Sequence, residues 1–155
     1  AAGALAQLQA GNAVDPALHA RLDRPVPRVA LGRALRGIAT ACIDVSDGLL
    51  ADLGHVCMAS TVGAEVEIDA LPVSAALRSA FDEGSRRTLQ ATGGDDYELC
   101  FTTPAAMQTE VERAARAADV EIARIGRVVE GEGVVALDAG GKRWFPPRGG
   151  YAHFS

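Results

Sequence analysis

Asp44, Ser46 and Asp47 stand almost side by side in "IDVSDG", where an apolar run gives way to a helical pattern. Two carboxylates and a hydroxyl in so short a span are hard oxygen donors. Mg²⁺ prefers such donors and is commonly held by one or two carboxylates together with substrate phosphates. The Ser46–Gly48 turn also offers helix N-terminal amides, which attract anions such as phosphate. The plainer alternative is that a serine or aspartate here is only the N-cap of the next helix. Asp44 fits that alternative less well, because a strand-end carboxylate beside buried neighbours needs a partner.

A second group is "TGGDDYE", Thr92 to Glu98. Paired glycines allow a sharp turn and a close approach of backbone to ligand. Asp95 and Asp96 follow at the start of a strand; the alternative is a plain turn with solvated acids. A third is "GGYAHF", Gly149 to Phe154, whose aromatic rings suit a flat ligand. The alternative there is a tail packed on the core. His153 could act as ligand or base, although a lone histidine near a terminus more often does neither. His19 and His55 fall in helical patterns and read as surface or packing residues. No nucleophile–base set is visible, and no catalytic residue is assigned.

The elements that must position these groups follow from period and punctuation. Ala1–Ala10 reads as the tail of a helix without a start signal. Asp15 caps a short helix with Pro16 at its first position. "VALGRALRG" is a third short helix ending at Gly37. Ile38–Asp44 reads as a buried strand, and a helix with Leu49, Leu50, Leu53, Val56 and Cys57 at helical spacing runs to about Ser60. "GAEVEID" alternates as a half-exposed strand. "LPVSAALRSAF" is a loop and then a helix, and "DEGSRRTLQATGGDD" reads mostly as loop. "YELCFTTP" is a strand, and Thr103 with Pro104 opens a helix whose stripe is Met107, Val111, Ala114, Ala115 and Ala118. "VEIARIGRVV" is a strand with "GVVALDA" as its hairpin partner, and the tail is irregular. This is an α/β (α+β) layer fold with a mixed sheet.

Length and composition agree. The 155 residues suit one domain, and 48% hydrophobic against 23% charged residues is enough apolar material for a core. A net charge of −5 argues against a nucleic-acid or membrane surface. It leaves room for a phosphorylated ligand held through metal ions. Cys42, Cys57 and Cys100 lack zinc-ligand spacing and read as small core residues. No run is apolar enough to span a bilayer, and the start lacks the basic region of a signal peptide. These readings point to a soluble, cytoplasmic protein.

Taken together, "PVPRVALGRALRGIATACIDVSDGLLADLGHV", "GAEVEIDALPVS", "TGGDDYELCFT" and "GGYAHF" resemble the C-terminal half of the bacterial thiamine-monophosphate kinase family. That family lies in the aminoimidazole ribonucleotide synthetase-like superfamily. The resemblance runs from about Pro25 to Phe154. It implies ATP-dependent phosphorylation of thiamine phosphate to thiamine diphosphate, with Mg²⁺, by a cytoplasmic homodimer. Asp44 and Asp47 are then metal-binding carboxylates and Ser46 an ATP contact. Asp95 stands where the family usually has glutamate, and with Tyr151 contacts thiamine phosphate. Residues 1–24 become a helical tail of a preceding domain or linker, and 25–155 the C-terminal domain. The family's N-terminal ATP and metal domain has no counterpart in this chain, which implies a fragment inactive alone. The competing readings are another ATP-dependent synthetase of the superfamily and a non-catalytic binding or oligomerisation module.

Overall fold

A computed structural model describes residues 1–146 of the chain. The chain starts with three short helices, α1 (Ala2–Gln9), α2 (Pro16–Asp23) and α3 (Val29–Ala34). Asp15 caps α2, its Oδ1 accepting from the amides of Ala17 at 2.8 Å and Leu18 at 3.2 Å. Strand β1 (Ala41–Asp44) leads through a turn into α4 (Leu49–Ser60). Then come β2 (Gly63–Glu67), α5 (Ala75–Ala80), α6 (Glu83–Thr92), β3 (Leu99–Thr102), α7 (Gln108–Ala117), β4 (Gly126–Val129) and β5 (Gly133–Leu137).

The strands form two sheets. β1 and β3 make an antiparallel pair, Ile43 facing Cys100 and Asp44 facing Leu99. β2 is the centre of the other sheet, antiparallel to β4 and parallel to β5. The alternation of "GAEVEID" is realised: Ala64, Val66 and Ile68 are buried while Glu67 and Asp69 are exposed. β4 and β5 are not a hairpin, since β2 lies between them. A short connection suggests a hairpin locally, but β2 offers two free edges and a longer apolar face.

Two hydrophobic clusters flank the β1–β3 ladder. The larger joins Val45, Leu49, Leu53 and Cys57 to Val66, Ile68 and Ala136, with Cys100 and Ile43 reaching it from the ladder. The smaller joins Leu31 and Leu35 of the α3 region to Val111, Ala114 and Ala115 of α7, with Leu99 and Phe101 packed against it. Val66 and Cys57 are almost wholly buried. Burying a side chain of Val size contributes about 1.5–3 kcal/mol.

Several local expectations change. The strand before the turn starts at Ala41 rather than Ile38. Residues 83–92 form α6 instead of loop, with Asp82 as N-cap accepting from the Ser85 amide at 3.0 Å. Arg87 of α6 pairs with Asp69, a tertiary tie to the segment just after β2, and with Glu83 one turn back in the same helix. Thr103 does not cap α7; its hydroxyl donates to the carbonyl of Ile38 at 3.2 Å, and a 3₁₀ turn precedes the helix. In the stripe of α7, Val111, Ala114 and Ala115 are buried, while Met107 and Ala118 are only half-buried. Cys42 is exposed on the edge strand β1 and is no core residue. Among the described residues, no helix is long and apolar enough to cross a membrane.

Candidate functional site

The turn between β1 and α4 is built around a residue that is neither Ser46 nor Asp47. Gly48 is the N-cap of α4, at φ 121°, and no side chain caps the helix from that position. The capping acid lies inside the helix. Asp52 is 3% exposed, and its Oδ2 accepts from the amides of Ser46 at 2.9 Å, Asp47 at 3.0 Å and Gly48 at 3.2 Å. The amides expected to receive phosphate are therefore occupied by a carboxylate of the chain itself. Neither does the N-cap alternative describe this turn. The side chains of Ser46 and Asp47 make no hydrogen bond among the described residues, and Asp47 is exposed.

Asp44 ends β1 and is exposed as well, without a hydrogen bond or ion pair among the described residues. It needs no buried partner, because β1 is an edge strand and water reaches its carboxylate. The turn thus presents two free carboxylates and a free hydroxyl. That is a donor set a hard divalent cation accepts. A carboxylate oxygen of Asp47 also lies within 4.8 Å of ligand atoms of Asp52 and His55, a grouping that does not include Asp44. His55 is exposed on α4 and joins the acids instead of merely lining the surface.

The second motif is clasped onto the first. The amide of Asp95 donates to the carbonyl of Ser46 at 2.9 Å, and that of Tyr97 to the carbonyl of Val45 at 2.9 Å. The amide of Val45 in turn donates to the carbonyl of Glu98 at 2.8 Å. Glycines make this approach possible. A Cβ on Gly94 would collide with the Ser46 carbonyl oxygen, and one on Gly48 would sit 2.6 Å from that of Thr92. Of the paired glycines expected to approach a ligand, Gly94 lies against the other motif, while Gly93 lies against Ala2 and the carbonyl of Leu89. Asp95 and Tyr97 hold left-handed backbone, φ 60° and 52°. Non-glycine residues there are uncommon, and such strain persists only where surrounding contacts impose it. Both side chains are exposed, with the Tyr97 hydroxyl 3.5 Å from Asp95 Oδ1. Asp96 accepts from the backbone nitrogen of Ala1 at 2.6 Å.

Glu98 anchors this loop. Arg28 donates to both of its oxygens, from Nε at 2.8 Å and Nη2 at 2.7 Å, and Arg21 pairs with the same carboxylate. Burial works to raise the Glu98 carboxyl, but hydrogen bonds and charge from Arg28 and Arg21 outweigh it and hold the group below its usual range. The same hydrogen bond raises Arg28. Burial pushes the Cys100 thiol up to about 11, and partial desolvation with the Asp44 charge raises Cys42. Neither thiol is primed as a nucleophile.

Asp44, Ser46 and Asp47 thus lie in one turn, and the Asp95 backbone is hydrogen-bonded to Ser46, while Tyr151 and His153 lie outside the described residues. Two shallow hollows among the described residues lie elsewhere, along β2, β4 and β5 beside Glu65, Glu67 and Asp138. Sequence reasoning missed Asp52 and Glu98. Asp52 had a readable signal: it falls three residues after Leu49 and four before Val56, on the buried face of α4.

Fold and sequence together define the class. The chain belongs to the AIR synthase related protein family, C-terminal domain, whose model matches residues 2–138. Among individual relatives, thiamine-monophosphate kinase of Salmonella typhimurium is 50% identical over 103 residues, covering 66% of this chain and 30% of its own length. The crystal structure of thiamine-monophosphate kinase from Stenotrophomonas maltophilia superimposes with a TM-score of 0.82 at 46% identity, covering 87% of this chain and 46% of that one. A structure described as AaThiL complexed with AMPPCP and TMP matches with a TM-score of 0.72 at 31% identity, covering 94% of this chain and 45% of that one. The chain spans about a third of the length of the first curated relatives it matches.

Proposed function

We propose that this chain is the C-terminal part of a thiamine-phosphate kinase, which transfers the γ-phosphoryl group of ATP to thiamine phosphate and releases thiamine diphosphate and ADP. The observation that carries the reading is the clasp. It ties the backbone of Asp95, the expected acceptor contact, to Ser46, in the turn that carries Asp44 and Asp47, and this supports the reading. A phosphoryl acceptor and a metal-bound nucleotide must meet in this way for in-line transfer. The relative solved with AMPPCP, a non-hydrolysable ATP analogue, and TMP supports the same pairing of ligands.

In this reading Asp44 and Asp47 hold Mg²⁺, and Ser46 contacts ATP through its free hydroxyl. When bound, Mg²⁺ neutralises phosphate charge as it builds in the transition state. The chain's own task is positioning. A loose transition state needs no protein nucleophile, which fits the raised thiols. Asp95 and Tyr151 orient thiamine phosphate, an aromatic ring being suited to contact with the cationic thiazolium. Residues 1–24 lead in from a preceding domain, which completes the ATP site and the homodimer. The enzyme works in the cytoplasm and binds neither nucleic acid nor membrane.

The test is product analysis with the complete protein that carries this domain. Incubated with ATP, thiamine phosphate and Mg²⁺, it should form thiamine diphosphate and ADP in equal amounts. Omission of Mg²⁺ should abolish product. ATP consumption with no thiamine diphosphate formed, whatever the acceptor offered, would remove the reading.

A further inference from the structure

Asp52 is the one charged side chain that is buried among the described residues, and nothing in the proposed transfer uses it. A buried carboxylate is costly unless it is hydrogen-bonded. Asp52 meets that condition with three consecutive amides, those of Ser46, Asp47 and Gly48. This arrangement has a geometric consequence. Turning three successive N–H groups inward onto one oxygen fixes the backbone of the turn. The side chains of Ser46 and Asp47 make no hydrogen bond among the described residues. A carboxylate oxygen of Asp47 and one of Asp52 lie within 4.8 Å of each other. The buried Asp52 charge is therefore a close neighbour of an exposed carboxylate.

We infer that Asp52 is a positioning residue for the cation–phosphate face: it ties down the Ser46–Gly48 turn, blocks those amides from phosphate, and sets the direction and field in which Asp47 presents its carboxylate. The inference rests on the reading that Asp44 and Asp47 hold a divalent cation. It adds that anion recognition at this turn goes through the metal and not through the amides of Ser46, Asp47 and Gly48. Groups behind metal ligands commonly change metal affinity by 10–100-fold when altered.

The experiment uses the complete protein and three variants: Asp52→Asn, Asp52→Ala and, as a surface control, Glu65→Gln. Hydrogen–deuterium exchange is followed on the peptide covering residues 43–53 and on peptides from β2. Mn²⁺ binding is measured by electron paramagnetic resonance with a non-hydrolysable ATP analogue present, and the KM values for ATP and thiamine phosphate are recorded separately. Asp52→Asn keeps shape and one acceptor oxygen, so it should fold. It should raise exchange in residues 43–53 several-fold, leave β2 protected, and weaken Mn²⁺ about tenfold or more. KM for thiamine phosphate should stay nearly unchanged. Asp52→Ala should exaggerate each effect, and Glu65→Gln should show none. Loosening of the turn with unchanged Mn²⁺ affinity would make Asp52 purely structural and overturn the inference. Unchanged exchange in residues 43–53 would overturn it too. Wild-type protein that binds no Mn²⁺ would sink the cation reading itself and the positioning role with it, whatever the exchange shows.

Discussion

Two acids on and just after β2 and two at the end of β1 are treated in opposite ways. Glu65 pairs with Arg127 at 2.7 Å, and Asp69 shares Arg87 with Glu83, so both have a cation of the chain beside them. At the end of β1, Asp44 and Asp47 have no partner among the described residues, although Arg21 and Arg28 are spent nearby on Glu98. Backbone order runs the other way. The β1 turn is bound by three amides on Asp52 and by the clasp with residues 95–98, while Gly131, between β4 and β5, has open space where a Cβ would lie. Around β2, Glu65 and Asp69 are held by arginines. The β1 turn has its backbone tied down and leaves Asp44 and Asp47 without partners among the described residues. Free charge on a rigid frame is what a ligand site requires, because the ligand then supplies the counter-charge without reordering the protein.

The comparison is broken most forcefully at the clasp. Gly48→Ala places a Cβ 2.6 Å from the Thr92 carbonyl at a φ of 121°, so it should lower stability by about 2–3 kcal/mol. Gly131→Ala has a φ of 112° but nothing within 4 Å, and should cost only about 1 kcal/mol. Urea unfolding of both variants checks the order, and equal losses would mean the clasp adds nothing beyond backbone strain.

Turnover sharpens the difference next. Asp44→Asn or Asp47→Asn in the complete protein should lower turnover at least about tenfold, roughly 1.4 kcal/mol of barrier, with melting temperature nearly unchanged. Parallel loss of folding and activity would return these residues to a packing role. The acceptor side should show a smaller, selective change. Tyr151→Ala should raise KM for thiamine phosphate several-fold and leave that for ATP nearly as it was, for a cation–π loss of about 0.5–2 kcal/mol. Asp95→Glu should be tolerated. An equal rise in both KM values with Tyr151→Ala would make the tail a general prop of the fold.

Smaller effects test the paired acids. Glu98 is held below its usual range, so its contribution to stability is present above the unfolded carboxylate range and is lost as pH falls through the folded value. Glu98→Gln should therefore flatten the decline of melting temperature below about pH 4.5. Because Glu98 is 39% exposed, solvent screening limits the loss at neutral pH to about 1 kcal/mol or less. A variant whose acid profile matches wild type would show that Arg28 and Arg21 do not stabilise the charged form. Smallest of all, Glu65→Gln should change stability by at most about 0.5 kcal/mol and turnover not at all, since Arg127 is 68% exposed. A clear loss of turnover would blur the distinction between the two regions.

What the sequence determined by itself is local. Asp15 before Pro16 specified a helix start because a side chain two or three residues from the orphan amides needs no distant partner. The alternation of residues 63–68 specified a strand with one buried face because pleat geometry has a period of two. The apolar spacing of residues 49–57 specified α4, and with "SDG" before it the place of the candidate donors was legible too. What only the tertiary structure decided is pairing at a distance. β2 came between β4 and β5 because sheet order depends on which edges are free, which no local period records. Helix α6 holds together through Asp69 and packing against α4, contacts invisible in its own weak pattern. Gly94 of the second motif lets it lie against the first, and the capping of the β1 turn passed from Ser46 or Asp47 to Asp52. In each of these cases the deciding group meets a partner that only the folded chain brings within reach. A carboxylate's role, as N-cap, buried anchor or free ligand, is set by which amides and cations surround it, and neighbours in space are not encoded by neighbours in sequence.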